Sequence, residues 1–509
     1  MLWRKWHLCY WIVVAKLTSN VILLTPLIGA GGQDNDPLVV TTTNGSVRGL
    51  LINHTSGNSV RVFYGIPYAE PPLGVLRFRR PVPKMSWSGT LDATIKPNSC
   101  VQALDCIYGN FSGSIMWNAN TNMSEDCLKL NIWTPHPNPQ NVSVLVWIYG
   151  GGFYSGTSTL DVYDATTLVR RENVIVASMN YRVASLGFLS FGNDVVPGNA
   201  GLYDQHIALR WIKENICAFG GDENRITLFG ESAGAVSVGF HLLSPLSRPL
   251  FTRAILQSGS VTAPWGFQNN ATARKSATAL AAAVNCSTSL GNETLKCLQE
   301  KEAKAIIENE VWGKGVVDFP FVPVQDGVLI PDSAQNMSVV GAFNNTTTVL
   351  LGSNANEGSY FLEYFLGLPP DADPENVTEE NFTAVLKALN PVMGEPPMNK
   401  VLEMYGGVIP NTTDGRLSVL DAIVGDYHFT CPVVQLADLL SQAKARVYQY
   451  LFGRRSSKNP WPKWMGVIHG EEISFEFAEP LNTSLEYDEV DKNLSGIIMQ
   501  YWSNFSKTG

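Results

Sequence analysis

Residues 225–243 read RITLFGESAGAVSVGFHLL, and this succession predicts a strand, a tight turn and a helix. The run RITLF at 225–229 is typical of a buried strand, and the apolar residues 235–243 are typical of a helix. Between them, Gly-x-Ser-x-Gly centred on Ser232 predicts a turn that exposes the serine hydroxyl above the edge of a sheet. The alternative is an ordinary strand-to-helix turn, because this pentapeptide also arises by chance.

Other runs predict further strands of the same sheet. Residues 142–149 (VSVLVWIY), 173–182 and 346–352 are rich in apolar and β-branched side chains, and residues 205–216 read as a helix. Strands that alternate with helices predict one large α/β unit, in which a mostly parallel central sheet carries helices on both faces. Active sites of such sheets lie at the carboxyl ends of the strands, where the glycine-rich segments of this chain fall.

Composition excludes several classes of protein. The chain has 509 residues, of which 45% are hydrophobic and 16% charged, and its formal net charge is −9. Such an apolar chain is not disordered. Its negative charge disfavours DNA, RNA and anionic membranes as partners, because nucleic acid is held by Lys and Arg. The same charge favours a cationic small molecule.

Residues 1–30 are expected to be a cleaved secretory signal peptide. Arg4 and Lys5 precede an apolar stretch that ends in small residues at 29–32. A membrane anchor is the alternative, but Lys16 and Pro26 interrupt the stretch and no second apolar run of spanning length follows. Seventeen Asn-x-Ser/Thr sequons fit an exported glycoprotein. We therefore predict a secreted chain in which residues 31–509 form one domain without a membrane span.

Cysteine usage favours disulfides over a metal site. The sequence has no Cys-x-x-Cys pair and no His-rich cluster, so we predict no metal and no cofactor. Cys286 and Cys297 are close enough in sequence to close a small loop. Seven cysteines remain once the leader is removed, so at least one thiol is free or pairs outside the chain. This odd number indicates that the protein continues beyond Gly509.

The serine of the turn needs an imidazole base to act as a nucleophile. In folds with this turn the acid and then the histidine follow the serine along the chain. Of the histidines after Ser232, His241 is in the same helix and too close to reach the hydroxyl, and His428 fits an ordinary buried histidine. His469 ends an apolar run and precedes Gly470, as expected of a loop residue delivered to a site. We therefore favour His469 over His428 as the base.

Glu357 is the acid expected to accompany this base. It is the only acid in the loop that follows the predicted strand 346–352. There it would hold the tautomer of His469 and stabilise the imidazolium. The alternative is a solvated surface carboxylate, which is usual for glutamate.

A run of three glycines, residues 150–152, follows the predicted strand 142–149. Backbone N–H groups without side chains in the way suit an oxyanion hole, and the N–H of Ala233 adds a further donor. A phosphate cradle is the alternative, but no Gly-Lys-Ser/Thr accompanies the glycines.

Three segments together resemble the type-B carboxylesterases. They are EDCLKLNIW at 125–133, GGGFYSG at 150–156, and FGGD at 219–222 followed by GESAG at 230–234. The resemblance spans roughly residues 39–509, and within the family the chain is most similar to the cholinesterases. It implies an α/β-hydrolase fold and a secreted serine esterase for acetylcholine and related choline esters. A broader carboxylesterase for neutral esters and a non-catalytic adhesion protein of the same fold are the alternatives.

The resemblance also assigns roles to residues. Ser232, Glu357 and His469 match the catalytic triad of the family. Gly151, Gly152 and Ala233 match its oxyanion hole.

The substrate class depends on Trp117, which matches the family's choline-binding tryptophan. A quaternary ammonium has no N–H donor, so an aromatic face is a suitable partner for it. Without the resemblance, one tryptophan among 13 would be read as a core residue. The resemblance further implies that Glu231 adds negative potential beside the nucleophile and that Asp105 lies at the mouth of the gorge. The other aromatic gorge positions that it implies are Tyr154, Tyr163, Tyr360, Phe361, Tyr364 and Trp461.

Two departures from the family pattern bear on specificity and on the disulfides. Val317 and Phe319 align with an acyl pocket that carries two phenylalanines in relatives, so a wider pocket is expected.

The resemblance implies the disulfides Cys100–Cys127 and Cys286–Cys297, and a partner for Cys431 beyond Gly509. Cys106 and Cys217 have no counterparts, and they either pair with each other or leave Cys106 as a free thiol. A C-terminal region not present in the sequence is expected to carry any contacts for a homo-oligomer.

Overall fold

The structure is a computed structural model that describes residues 36–53, 58–332, 347–389 and 398–509. The predicted leader, residues 1–30, lies outside the described residues. No helix in the described ranges combines the length and the apolar composition needed to cross a bilayer.

Two sheets organise the described chain. The strands are β1 (Val39–Thr41), β2 (Ser46–Arg48), β3 (Leu50–Ile52), β4 (Ser59–Pro67), β5 (Thr90–Asp92), β6 (Lys129–His136), β7 (Val142–Ile148), β8 (Ile175–Met179), β9 (Gly221–Glu231), β10 (Arg253–Gln257), β11 (Thr348–Asn354) and β12 (Arg446–Phe452). Nine of them form one sheet in the order β12-β11-β10-β9-β7-β8-β6-β4-β3, and β1, β2 and β5 form a small second sheet. From β12 to β8 all neighbours are parallel, whereas β6, β4 and β3 continue the sheet with antiparallel pairing. The predicted α/β class with a mostly parallel sheet is confirmed.

Helices connect the parallel strands. The α-helices of the described ranges are Ser112–Ile115, Thr166–Glu172, Ala184–Phe188, Ala200–Asn215, Ala233–Leu243, Asn270–Ala283, Asn292–Glu300, Ala303–Glu308, Ser359–Leu366, Glu379–Ala388, Met398–Met404, Thr413–Gly425, Cys431–Gln442, Ile473–Glu476 and Glu489–Thr508. A π-helical turn, Asp426–Thr430, joins two of them. Because helices cover both faces of the sheet, a central strand has no solvent side. Residues 144–148 of β7 accordingly have no exposed surface.

A buried ion pair joins the segment after β8 to the helix Ala200–Asn215. Both guanidinium bonds from Arg182 to the carboxylate of Asp204 are 2.7 Å long, and neither side chain is more than 4% exposed. The N–H of Arg182 donates to the same carboxylate. Nη1 of Arg182 is buried and has no hydrogen-bond partner in the described part of the chain, so the guanidinium is not fully satisfied. The removal of one member of the pair would leave a buried charge without its partner.

The structure confirms some of the cysteine predictions and contradicts others. The structure contains the two expected disulfides, Cys100–Cys127 and Cys286–Cys297. Cys217 lies exposed on a short turn, where its thiol contacts Glu223, and it is free. Its pairing with Cys106 is therefore wrong, and Cys106 is not a free thiol either, because it is disulfide-bonded. Cys431 is exposed and free in the described part of the chain.

Candidate active site

Ser232 is the single residue between β9 and the helix Ala233–Leu243. Its backbone has φ 56° and ψ −122°, a conformation that non-glycine residues rarely adopt. A Cβ on Gly234 would lie 2.0 Å from the carbonyl oxygen of Ile148 in the neighbouring strand, so only glycine fits there. The glycine spacing thus lets the chain turn against β7 and holds the serine at the carboxyl end of the sheet.

The loops after β11 and β12 bring Glu357 and His469 together. Nδ1 of His469 lies 2.6 Å from Oε2 of Glu357, and the two residues are 112 positions apart in sequence. Asn356 pairs with Ile468 in a short parallel bridge, which ties the two loops beside the contact. The expected acid and base are therefore neighbours in space.

Two donors hold the other oxygen of Glu357. The hydroxyl of Ser258 and the backbone N–H of Asn354 donate to Oε1 over 2.5 and 2.6 Å. Glu357 is only 2% exposed, so it is a buried carboxylate and not a solvated surface group. Its Oε2 remains available to accept the N–H of His469, which orients the ring.

His469 lines the same cavity as Ser232, and its second nitrogen, Nε2, is not used by Glu357. This buried Nε2 forms no hydrogen bond, although it lies 3.0 Å from Oε1 of Glu231. Burial alone would lower the pKa of His469, but the carboxylates of Glu231 and Glu357 outweigh it and raise that pKa. For Glu231 burial has the opposite effect and raises the pKa.

The glycine run and the start of the helix supply backbone donors. Gly151, Gly152 and Ser232 line the same cavity, and Ala233 follows the serine directly. Within the part of the chain that the structure describes, the N–H groups of Gly151, Gly152 and Ala233 donate to no protein acceptor. Free N–H groups beside a nucleophile are what a developing oxyanion requires.

The cavity around Ser232 also gathers most of the predicted binding residues. Its lining consists of Trp117, Gly150, Gly151, Gly152, Tyr154, Ser155, Gly156, Leu160, Tyr163, Glu231, Ser232, Phe319, Tyr360, Phe361, His469 and Gly470. A Cβ on Gly470 would lie 3.7 Å from both the Trp117 ring and Glu231, so these two groups flank one spot. Aromatic rings, one carboxylate and a serine therefore share one concave space.

The remaining predicted aromatic and acidic residues lie next to this cavity. The hydroxyl of Tyr364 donates to Asp105 over 2.6 Å and is 3.3 Å from the hydroxyl of Tyr360. Trp461 packs edge-on against Tyr360 and lines a second cavity, which Trp117 also borders. A chain of hydroxyl contacts thus connects Asp105 to the wall of the first cavity.

The two residues expected for an acyl pocket are placed differently. Phe319 lines the cavity, where its ring packs against Tyr154 and Trp265. Val317 is 6% exposed and belongs to the hydrophobic core, outside the cavity lining. One aromatic ring therefore bounds this side of the cavity at the two aligned positions.

The two other histidines that follow Ser232 in the sequence, His241 and His428, lie outside the cavity. His241 is buried and hydrogen-bonds to Ser247 and Gln205. His428 is buried in the π-helical turn, and its carbonyl accepts the indole N–H of Trp265. Neither lines the cavity of Ser232. In the described ranges no group of three or more His, Cys, Asp or Glu is arranged to hold a metal ion.

Several residues of the site carried no signal in the sequence. Ser258 and Asn354 support Glu357, and Phe429 packs 4.5 Å from the His469 ring and stacks on Phe361. Asn354 is only three positions from Glu357, whereas Ser258 reaches Glu357 across 99 positions. Only the serine of Gln257-Ser258-Gly259, at the end of a short apolar run, offers a local pattern.

Comparison with known proteins agrees with this geometry. Residues 36–509 match the model of the carboxylesterase family, and the chain therefore belongs to that family. It has the α/β-hydrolase fold and is a serine-type carboxylic ester hydrolase, as the sequence motifs predicted. Among similar proteins is an acetylcholinesterase of Bungarus fasciatus, which is 45% identical over 508 residues. That alignment covers 98% of this chain and 82% of the relative.

Proposed function

We propose that the chain hydrolyses acetylcholine and related choline esters through an acyl-enzyme on Ser232. The observation that carries the proposal is that Trp117 and Glu231 line the same cavity as Ser232 and His469. An aromatic face and a carboxylate are suited to a quaternary ammonium, which offers no hydrogen to an acceptor. The name of the Bungarus fasciatus relative, an acetylcholinesterase, points to the same substrate.

Acylation begins with proton transfer from Ser232 to Nε2 of His469. The hydroxyl oxygen attacks the ester carbonyl, and the resulting oxyanion accepts hydrogen bonds from the N–H groups of Gly151, Gly152 and Ala233. Glu357 holds the proton on Nδ1 and stabilises the imidazolium. When the tetrahedral intermediate collapses, the bond to the alkoxy oxygen breaks, and the imidazolium protonates the departing choline.

Deacylation repeats these steps with water as the nucleophile. His469 takes a proton from water, and the hydroxide oxygen attacks the acyl carbonyl. The second tetrahedral intermediate breaks its bond to Ser232, whose oxygen regains the proton from the imidazolium. The products are a carboxylic acid and the free enzyme.

The acyl side of the cavity favours groups larger than acetyl more than a pocket with two rings would. Phe319 bounds the cavity, whereas Val317 is buried in the core and offers no ring. Each additional methylene in a pocket changes discrimination by about 1–3 kcal/mol. We therefore expect propionyl and butyryl thiocholine to be accepted better than a pocket with two rings would allow, and a butyryl-to-acetyl rate ratio near zero would contradict this.

The proposed substrate class is tested with acetylthiocholine and its uncharged tert-butyl isostere. The expected result is a preference for the cation in kcat/KM, which Trp117→Ala reduces roughly fivefold to thirtyfold, as a cation–π contact of about 1–2 kcal/mol implies. Phenyl acetate serves as the control, because its hydrolysis needs no cation site. Equal kcat/KM values on the charged and uncharged esters would replace the proposal with a broad carboxylesterase.

A further inference from the structure

Gln102 joins the two loops that build the walls of the cavity. One loop is closed by the Cys100–Cys127 disulfide and carries Trp117, and the other is the glycine loop, residues 150–156. The side chain of Gln102 is 1% exposed and lies between them. Its Nε2 donates to the carbonyls of Cys100 and Gly156 over 2.9 and 2.8 Å, and its Oε1 accepts the N–H of Gly156 over 2.7 Å.

The position of Gly156 is coupled to that of the oxyanion donors. The N–H groups of Tyr154 and Ser155 both donate to the carbonyl of Gly151, over 3.0 and 3.1 Å, so the glycine loop closes on itself. Gly156 has φ 113°, and a Cβ there would lie 2.8 Å from the carbonyl oxygen of Gly150. The end of the loop therefore packs against its beginning, and a shift of Gly156 displaces the free N–H groups at its start.

Other contacts already hold the two segments together. The hydroxyl of Ser99 donates to Thr157 over 3.0 Å, and the side-chain amide of Asn180 donates to the carbonyl of Asn98 while its oxygen accepts from Ser158. The loss of Gln102 would leave these ties in place. Gln102 differs from these contacts because it binds both the backbone N–H and the carbonyl of Gly156.

We propose that Gln102 is a positioning residue for the oxyanion hole of the esterase. The inference rests on the proposed function, in which Gly151 and Gly152 bind the oxyanion. Gly156 presents one donor and one acceptor, and Cys100 adds a second acceptor, a pattern that a primary amide satisfies in full. A leucine would leave all three backbone groups without their partner. A glutamate would keep the acceptor but place a second oxygen against two carbonyls.

The experiment compares the wild type with Gln102→Leu, Gln102→Glu and the matched control Ser99→Ala. Active sites are titrated, and kcat and KM are measured on phenyl acetate and acetylthiocholine. Affinities are measured for a trifluoromethyl ketone, which forms a tetrahedral adduct with Ser232, and for tetramethylammonium. The two ligands separate the oxyanion hole from the cation site.

Displaced oxyanion donors lower transition-state binding and leave ground-state binding unchanged. We expect kcat of both Gln102 variants to fall roughly tenfold to a hundredfold on both esters, with KM nearly constant. Ketone affinity falls by the same factor, and tetramethylammonium affinity stays at the wild-type value. Ser99→Ala keeps each quantity within about twofold of the wild type.

Other outcomes overturn the inference. A Gln102 variant with fewer titratable sites but wild-type kcat per site would show a merely structural role. A loss confined to acetylthiocholine would place the effect at the cation site. If Gln102→Leu does not fold, the isosteric Gln102→Glu carries the comparison. A wild type that hydrolyses phenyl acetate without a cation preference refutes only the substrate class, whereas a wild type inactive on both esters overturns the proposed function and this inference together.

Discussion

The sharpest test of the triad is Glu357→Gln, because three donors converge on this carboxylate. Ser258 Oγ and the N–H of Asn354 use Oε1, and Nδ1 of His469 uses Oε2. A glutamine has the same shape but only one acceptor oxygen. If the glutamine oxygen takes the place of Oε1 and accepts the same two hydrogen bonds, the amide NH₂ faces Nδ1 of His469. Nδ1 must then accept a hydrogen bond from the amide. The ring proton then moves to Nε2, which can no longer take a proton from Ser232.

The expected loss follows from this change of tautomer. A triad histidine held in the wrong tautomer lowers kcat by about 10⁴-fold, or about 5 kcal/mol of transition-state stabilisation. KM stays nearly constant, because Glu357 lies behind His469 and does not line the cavity. The fold is retained, because the two bonds at Oε1 survive.

The assay is kcat on phenyl acetate, with thermal unfolding as the check on folding. Glu310→Gln is the matched control, since Glu310 is also a buried carboxyl that accepts a backbone N–H, from Ser185 over 2.8 Å, outside the cavity. The control is expected to keep wild-type kcat. If Glu357→Gln retained more than about a tenth of kcat, the tautomer argument would be refuted. An equal loss in the control would show general destabilisation.

Three further predictions concern the pocket, the pH profile and stability. Phe319→Ala removes the ring on the acyl side, so the ratio of kcat/KM for butyryl over acetyl thiocholine should rise about tenfold or more, and an unchanged ratio would place the acyl group elsewhere. Catalysis needs a neutral imidazole, and the carboxylate of Glu231 raises the pKa of His469. Glu231→Gln should therefore lower that pKa and move the acid limb of kcat/KM for phenyl acetate to lower pH, whereas a fixed midpoint would mean that Glu231 carries no charge there. Asp204→Ala breaks the buried ion pair and should cost about 3–5 kcal/mol in urea unfolding. Glu214→Ala breaks the half-exposed pair of Glu214 with Arg210 and should cost less than about 1 kcal/mol, and similar losses in both variants would contradict the role of burial.

The sequence alone was sufficient for the nucleophile turn and the order of the site residues. The two glycines of Gly-x-Ser-x-Gly are visible in the sequence, but the close contact that requires Gly234 is tertiary, because a Cβ there would lie 2.0 Å from the carbonyl oxygen of Ile148 in β7. The strands that precede Ser232 and Glu357 were readable from apolar runs, because parallel strands are buried on both faces. Local patterns of this kind need no knowledge of distant residues. They predicted the α/β class correctly, and they selected Ser232, Glu357 and His469 as the catalytic candidates.

The supporting contacts could not be read in the same way. Ser258 reaches Glu357 across 99 positions, and Gln102 reaches Gly156 across 54. The pairing of Cys217 with Cys106 was wrong for a similar reason, because spacing in sequence says nothing about the surface on which Cys217 lies. The burial of Val317 beside a lining Phe319 also depends on how distant segments pack. Hydrogen bonds and packing between remote segments form only when the whole chain closes around its sheet, so tertiary structure alone decides which oxygen, ring or amide faces the serine.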